Sequence, residues 1–245
     1  MARIDDLTLK GLQQLPVKPA DSVSRHEKSR YSELISQAIA SAFAEELRLR
    51  GLKGTRPAPP GLLGTSGAER RLAGGIGAKR VDVTWATEES GLLLGLSIKS
   101  INFRDSTTRN FQKNLINRRG DMLIEAVTLH RRFPYAVLGG FVFLDKEAAS
   151  DNTSKRRSTF ENAHSRLRLF TDREDPAGRD EQYERMYLVL LDANPFNPSL
   201  IPYKVGDSLT VLSLQSIFDD LVTLVAERNP DFYECVEGIL QRASS

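Results

Sequence analysis

Two nearly continuous apolar runs, at 136–144 and 187–191, constrain the fold more than any other feature of this sequence. Uninterrupted apolar residues of this length suit strands buried inside a sheet. Apolar residues also recur at three- and four-residue spacing over 27–50 and 110–132, which is typical of helices that pack on one face. This order of elements predicts an α/β fold with a mixed central sheet flanked by helices.

A hairpin is predicted between these two helices. Apolar and polar residues alternate at 80–85 and again at 92–100, and a short polar link ending in Gly91 joins the two stretches. Before the hairpin, the stretch 51–78 is so rich in proline and glycine that we expect an ordered loop or a mobile flap without regular structure.

The C-terminal part of the sequence predicts two amphipathic helices. One spans about 214–227, and the second starts at Pro230 and buries five side chains: Phe232, Cys235, Val236, Ile239 and Leu240. We therefore divide the chain into an N-terminal arm at 1–26, an α/β core at 27–192, and a C-terminal helical region at 193–245 packed on the core. The core includes the flap at 51–78 and a basic insertion at 145–185.

Composition limits the classes of protein to which this chain can belong. The 34 basic and 32 acidic residues leave a net charge of +2, so attraction for nucleic acid has to come from local clusters. One cysteine and three histidines exclude an internal disulfide framework and a multi-cysteine zinc site, and they favour a reducing cytoplasm. No segment approaches the roughly 20 apolar residues that a membrane span needs, so we expect no membrane partner.

One face of the predicted hairpin carries a carboxylate and an amine. Side chains alternate along a strand, so the second strand presents Ser97 and Lys99 on one face and four apolar side chains on the other: Leu92, Leu94, Leu96 and Ile98. On the first strand the same alternation places Asp82 on the polar face. A carboxylate can hold Mg²⁺, which prefers oxygen ligands, while Lys99 can orient a nucleophile or offset negative charge. This pair suits phosphodiester hydrolysis.

These residues resemble the PD-(D/E)xK nuclease superfamily, which includes restriction endonucleases, junction resolvases and recombination exonucleases. The matching motifs are RVDV at 80–83 and LSIKS at 96–100, and the resemblance extends over about 27–145. It implies a restriction-endonuclease-like core that uses Mg²⁺, for which Mn²⁺ substitutes. It also implies catalytic roles for Asp82 and Lys99, with Asp82 as a metal ligand.

The sequence departs from that family pattern at two positions. Val81 stands where the family has proline, which leaves the carboxylate of the motif in place. Ser97 stands where the family usually has its second carboxylate, and some restriction endonucleases of the superfamily with serine there supply a carboxylate from the following helix. Glu125 on that helix and Glu69 in the flap are the candidates for this catalytic and metal-binding role, ahead of Glu46.

Two basic groups are candidates for nucleic-acid binding. Asn114, Arg118 and Arg119 form a polar stripe on the 110–132 helix, where guanidinium groups can bind phosphates if the active site lies nearby. The strongest basic cluster is in the insertion: Lys155, Arg156 and Arg157. Both groups have a structural alternative as solvated surface, just as Asp82 alone can bond a loop amide and Lys99 alone can protect a sheet edge.

Two functions remain open at this point. The first is a Mg²⁺-dependent DNA endonuclease of a restriction or defence system, acting as a homodimer or with a partner subunit of that system. The second is a binding or interaction protein on the same fold that has lost catalysis, as the missing carboxylate at Ser97 would indicate.

Overall fold

The computed structural model describes residues 2–59, 61, 70–73 and 78–243. Its helices are Arg3–Gln13 (α1), Arg25–Leu49 (α2), Gln112–His130 (α3), Thr159–Leu167 (α4) and Leu214–Arg228 (α5). Its strands are Arg70–Ala73 (β1), Ala78–Val81 (β2), Val83–Thr87 (β3), Gly91–Ile101 (β4), Val137–Asp145 (β5), Arg185–Asp192 (β6), Ser199–Lys204 (β7), Tyr233–Val236 (β8) and Ile239–Arg242 (β9).

The centre of the molecule is a five-stranded mixed sheet in the order β3, β4, β5, β6, β7. The three inner strands β4, β5 and β6 are parallel, whereas each outer strand is antiparallel to its neighbour. The two apolar runs of the sequence became β5 and β6, which are buried along almost their whole length. This architecture confirms the predicted α/β class with a mixed sheet.

Helices cover both faces of the sheet. Residues of α1, α2 and α5 form one apolar cluster with one face, and residues of α3 and α4 form a second cluster with the other. Ser24 caps the N-terminus of helix α2: its hydroxyl accepts from the backbone N–H of Glu27, and the Glu27 carboxylate accepts from the backbone N–H of Ser24. This reciprocal cap satisfies donors that the first helical turn leaves free.

A register shift in the first hairpin changes one predicted orientation. Trp85 pairs with Leu94, but Ala86 pairs with Leu92, so Leu93 is an extra residue in β4. The extra residue reverses the alternation, and Leu92 packs with the α3 cluster instead of sharing a face with Leu94. The prediction for Leu92 was therefore wrong.

Regular structure also occurs where none was expected. The proposed N-terminal arm contains α1, whose Ile4 and Leu12 are fully buried in the core. The proposed flap contains β1, which pairs with β2 at the end of the flap, so the expectation of no regular structure at 51–78 was wrong. The polar insertion contains α4, which buries Phe160 and Leu167.

The end of the chain differs most from the prediction. Helix α5 is present, but β8 and β9 form an antiparallel hairpin where the second helix was predicted. The turn places Glu237 and Gly238 at positive φ, which a continuous helix does not allow. Of the five side chains expected to be buried, Leu240 is buried, Cys235 is half-buried, and Phe232, Val236 and Ile239 are exposed. Among the described residues, no helix combines the length and apolarity needed to cross a membrane.

Candidate active site

Asp82 lies at the bend where β2 ends and β3 begins. Here the chain leaves its pairing with β1 and starts to pair with β4. The Oδ2 atom of Asp82 accepts a hydrogen bond from the backbone N–H of Ile98 at 2.6 Å. A side chain thus ties the bend to β4, which fixes the carboxylate beside Lys99.

Lys99 connects two carboxylates. Its Nζ lies 3.6 Å from Asp82 Oδ2 and 3.4 Å from Glu125 Oε2. Asp82 and Lys99 therefore converge on one side of the hairpin, as the alternation of the sequence predicted. The exposed fractions of the side chains are 15% for Lys99, 15% for Asp82 and 6% for Glu125, so this group is nearly enclosed but still reaches solvent.

Glu125 enters this group from α3. Its helical neighbours Met122, Ala126 and Leu129 pack against the sheet, which also carries Glu125 below the surface. The hydroxyl of Tyr183 lies 3.2 Å from the Met122 carbonyl oxygen and 3.5 Å from Glu125 Oε1, so its single proton can be donated to either. Tyr183 is thus a hydrogen-bond donor at the closed end of the site.

Ser97 lies beneath these side chains. It is 1% exposed, and its Oγ has no hydrogen-bond partner of good geometry among the described residues. The hydroxyl is nevertheless near enough to Glu125 to lower the pKa of that carboxyl. An unpaired buried hydroxyl is costly, and Ser97 lies behind the residues that line the cleft, not among them.

The electrostatics of the site follow from burial and from these neighbours. Burial raises the pKa of Glu125, and the Lys99 ammonium only partly offsets this effect. Burial lowers the pKa of Lys99, but Glu125 and Asp82 outweigh it, so the pKa is raised overall. Lys99 is therefore a cation at neutral pH, whereas Glu125 holds a proton at a higher pH than an ordinary glutamate.

The group forms the floor of a cleft of about 880 Å³. One wall is the N-terminal half of α2, and the other is the first half of α3. The end of β4 and the two residues that follow it, Asn102 and Phe103, close one side. Side chains from four separate elements thus meet at one concave surface, which is the usual arrangement of a ligand site.

The nucleic-acid candidates from the sequence lie in different places. Asn114 and Arg118 line the cleft. Arg119 is not among the residues that line it, and its guanidinium carbon lies 5.9 Å from the centre of the Phe170 ring. Of the three residues proposed from the sequence, Asn114 and Arg118 are therefore placed to contact a ligand in the cleft, and Arg119 is not.

The basic cluster of the insertion lies outside the cleft as the described residues outline it. Lys155 and Arg157 are exposed. Arg156 turns inward, where it pairs with Asp151 at 3.4 Å and donates to the Asp151 carbonyl oxygen. The Arg156 side chain therefore stabilises the loop from 151 to 156.

The carboxylate candidates are also separated by the structure. Glu125 contacts Lys99, whereas Glu69 lies outside the described residues. Glu46 is fully buried between Arg3 and Arg50, at 2.8 Å and 2.7 Å. Its charge is used to join α1 to α2, away from the cleft.

Sequence reasoning missed two parts of the site. Tyr183 precedes β6 in a stretch interpreted only as a polar insertion, and nothing local connects it to α3. The α2 wall did leave a signal, because polar residues recur there at helical spacing: Arg25, Lys28, Ser29, Ser32, Glu33, Ser36 and Gln37. Without the fold, that stripe cannot be told from an ordinary solvated face.

The side chains present are suited to a hard divalent cation. Mg²⁺ takes one or two carboxylates and keeps several waters, and Asp82 and Glu125 supply two carboxylates beside the unpaired Ser97 hydroxyl. No cluster of three or more histidine, cysteine, aspartate or glutamate side chains at metal-binding spacing occurs in the described ranges. The donor set thus matches a site that relies on water and substrate oxygens.

Comparison of the chain with protein-family models, with curated proteins and with solved structures found no match. The side chains of the cleft are therefore the basis for assigning a function.

Proposed function

We propose that this protein is a Mg²⁺-dependent DNA endonuclease that hydrolyses phosphodiester bonds at Asp82, Lys99 and Glu125. The observation that carries the proposal is the position of Lys99 between two carboxylates on the floor of the cleft. Buried charges cost free energy, and an arrangement that also faces a cleft is characteristic of catalytic sites.

Asp82 and Glu125 are the residues that would hold the metal ion. When bound, Mg²⁺ acidifies a water molecule and polarises the phosphate. The hydrogen bond from Ile98 aims the Asp82 carboxylate toward Lys99. The Lys99 ammonium then holds the attacking water in place and offsets the negative charge that develops on the phosphate.

Glu125 would supply the carboxylate that the motif lacks at Ser97. Its contact with Lys99 and its nearness to the Ser97 hydroxyl support this assignment. By the resemblance of this serine variant to certain restriction endonucleases, we assign the enzyme to a restriction or defence system. Cutting both strands of a duplex would require two such sites, which a homodimer or a partner subunit would supply.

One observation favours the alternative, a catalytically inactive nucleic-acid-binding protein on the same fold. The Lys99 ammonium already contacts both candidate metal ligands, Asp82 and Glu125. Its positive charge therefore competes with a metal ion for these two carboxylates. Such a protein would keep the cleft and its polar walls but would bind no metal.

Assays of DNA cleavage and of metal binding distinguish the endonuclease from the inactive binding protein. The assay uses plasmid and linear DNA with Mg²⁺, Mn²⁺ or EDTA, and calorimetry measures Mn²⁺ binding to the protein alone. We expect metal-dependent cleavage, and we expect Glu125→Gln to abolish it and weaken metal binding. Asp121→Asn is the matched control, because Asp121 lies one turn earlier on α3, lines the cleft and pairs with Arg118. DNA binding without metal binding or cleavage would establish the alternative.

A further inference from the structure

Helix α2 has two faces of different character. Its buried face carries apolar side chains, including Ile35, Ile39 and Phe43. The face toward the cleft is polar over twelve residue steps, from Arg25 to Gln37, and none of its cleft-lining residues is apolar. At a rise of about 1.5 Å per residue, this polar stripe is about 18 Å long.

The positive charges of the polar stripe are not neutralised. Arg25 and Lys28 make no ion pair within the part of the chain that the structure describes. The Lys28 ammonium instead lies 5.6 Å from the centre of the Phe103 ring. An aromatic ring attracts an ammonium group without cancelling its charge, so Lys28 is restrained at the edge of the cleft and remains available to an anion.

Some surface cations elsewhere are paired, whereas others, such as Lys155 and Arg157, make no ion pair within the described ranges, so it is their place in the cleft that sets Arg25 and Lys28 apart. Lys113 pairs with Asp105 at 2.7 Å, and Arg48 pairs with Glu45 at 2.6 Å. The one acid of the polar stripe, Glu33, accepts a hydrogen bond from the Ser29 hydroxyl at 3.1 Å. The stripe therefore combines free positive charge with serine hydroxyls, the groups that most often contact nucleic-acid phosphates.

The position of the polar stripe limits what the anion can be. The stripe forms one wall of the cleft, Asn114 and Arg118 stand on the opposite wall, and the proposed catalytic group forms the floor. A chain whose phosphodiester reaches that floor must place its neighbouring phosphates along the walls. With about 3.4 Å of rise per nucleotide in one strand, the stripe is as long as about five nucleotides.

We infer that the polar stripe of α2 binds the phosphodiester backbone of the DNA strand that enters the cleft, with Arg25 and Lys28 as its charged contacts. This inference rests on the proposed function for its choice of DNA. It moves the principal DNA contacts from the basic cluster at 155–157 to α2, because that cluster lies outside the cleft.

The test is a DNA-binding titration with a labelled duplex in EDTA, so that nothing is cleaved. The variant is Arg25→Ala with Lys28→Ala, and the matched control is Arg157→Ala with Lys155→Ala, which removes the same two residue types from the exposed insertion. Each protein is measured at several salt concentrations. Thermal unfolding verifies that all three are folded.

We expect the α2 variant to lose about tenfold to a hundredfold in affinity and about two units of salt slope, since each phosphate contact contributes about 0.9. The control should keep the wild-type slope. Equal affinity and slope for the α2 variant and the wild type would overturn the inference, as would a stronger effect of the control. Tighter binding of an RNA duplex of the same sequence would overturn the choice of DNA.

The outcomes also separate this inference from the proposed function. If the wild type cleaves DNA with Mg²⁺ but the α2 variant binds normally, the inference fails and the function stands. If the wild type neither binds metal nor cleaves, yet the α2 variant loses DNA affinity, the function fails and the DNA-binding surface stands. A wild type that binds no DNA contradicts both.

Discussion

Two buried charge clusters in the molecule differ in how closely their charges are paired and in their access to solvent. In the first, the Glu184 carboxylate accepts from the backbone N–H of Leu138 at 2.8 Å, from Arg173 at 2.9 Å and, at 3.2 Å, interacts with His130 Nε2. Arg228 lies 3.2 Å from the same carboxylate. The side chains of Glu184, Arg173 and His130 are fully buried.

The cleft cluster is held more loosely. The Lys99 ammonium is 3.4 Å and 3.6 Å from its two carboxylates, and the Ser97 hydroxyl makes no hydrogen bond of good geometry with any described residue. Lys99 and Asp82 also retain contact with solvent. The first cluster joins α3, β5 and α5 to one another. The second cluster faces a cleft. Among the described residues both clusters contain buried polar atoms without a hydrogen-bond partner: Ser97 Oγ beside the cleft, and Arg173 Nε and Arg228 Nη1 in the first cluster. Looser contact between the charges and access to a cleft therefore distinguish the candidate site from the structural cluster.

The largest effect on stability is expected for Glu184→Gln. Removing this charge leaves two arginines buried without their carboxylate, and breaking a buried pair costs ~3–5 kcal/mol in the free energy of unfolding. Urea unfolding measures this loss. The control is Glu181→Gln, which breaks a surface pair with Arg179 and should cost about 1 kcal/mol or less.

The effect of Glu184→Gln should also depend on pH. The hydrogen bonds and cations around Glu184 hold its pKa below the ordinary value despite burial. A carboxyl whose folded pKa is depressed stabilises the fold fully above its unfolded pKa, and this contribution is lost as the pH falls through the folded pKa. The stability difference between wild type and variant should therefore shrink on acidification. A difference that is constant or grows toward acid pH would show that charge pairing is not the cause.

The next largest effect is expected for Lys99→Met, and it should appear in activity. Loss of one electrostatic contact to the transition state costs about 10²–10³ in kcat. The free energy of unfolding should fall by less than for Glu184→Gln, because Glu125 can take up a proton and Asp82 keeps its hydrogen bond to Ile98. Metal affinity should be retained, since the ammonium is no ligand. A Lys99→Met variant with a large loss of stability but full activity would show that Lys99 stabilises the fold and does not take part in catalysis.

The smallest of these effects is expected for Tyr183→Phe. The variant removes the hydroxyl beside Glu125 and should lose about 1 kcal/mol of stability. It should also raise the Mg²⁺ concentration needed for half-maximal cleavage, because Glu125 is less well positioned. Tyr187→Phe is the control: its hydroxyl bonds Asp220 at 3.3 Å, away from the cleft. An equal change of the metal requirement in both variants would exclude a positioning role for Tyr183.

The sequence predicted those features that depend on local periodicity. The apolar runs located β5 and β6, and alternation placed Asp82 and Lys99 on one side of the hairpin. Local periodicity could not place Tyr183 next to Glu125, since that contact depends on how α3 packs across the sheet, between residues 58 positions apart. It also could not show that the polar face of α2 lines a cleft.

Periodicity misled the prediction at the end of the chain. Apolar residues at 232, 235, 236, 239 and 240 have helical spacing, yet the segment is a hairpin. A short hairpin with a tight turn can carry the same spacing, and Gly238 allows the positive φ that the turn requires. Strand β7 was missed because Pro202 interrupts its pattern, although proline is tolerated on an edge strand such as this one.

The central claim, that Asp82, Lys99 and Glu125 form a metal-dependent nuclease site, is tested most directly by Asp82→Asn. The amide oxygen can still accept from Ile98, so the bend should remain while the charge is lost. We predict that plasmid cleavage with Mg²⁺ falls by about 10³ or more and that Mn²⁺ binding weakens, with DNA affinity changed by only about threefold or less because phosphate contacts dominate it. Cleavage by purified Asp82→Asn protein at the wild-type rate would contradict the claim.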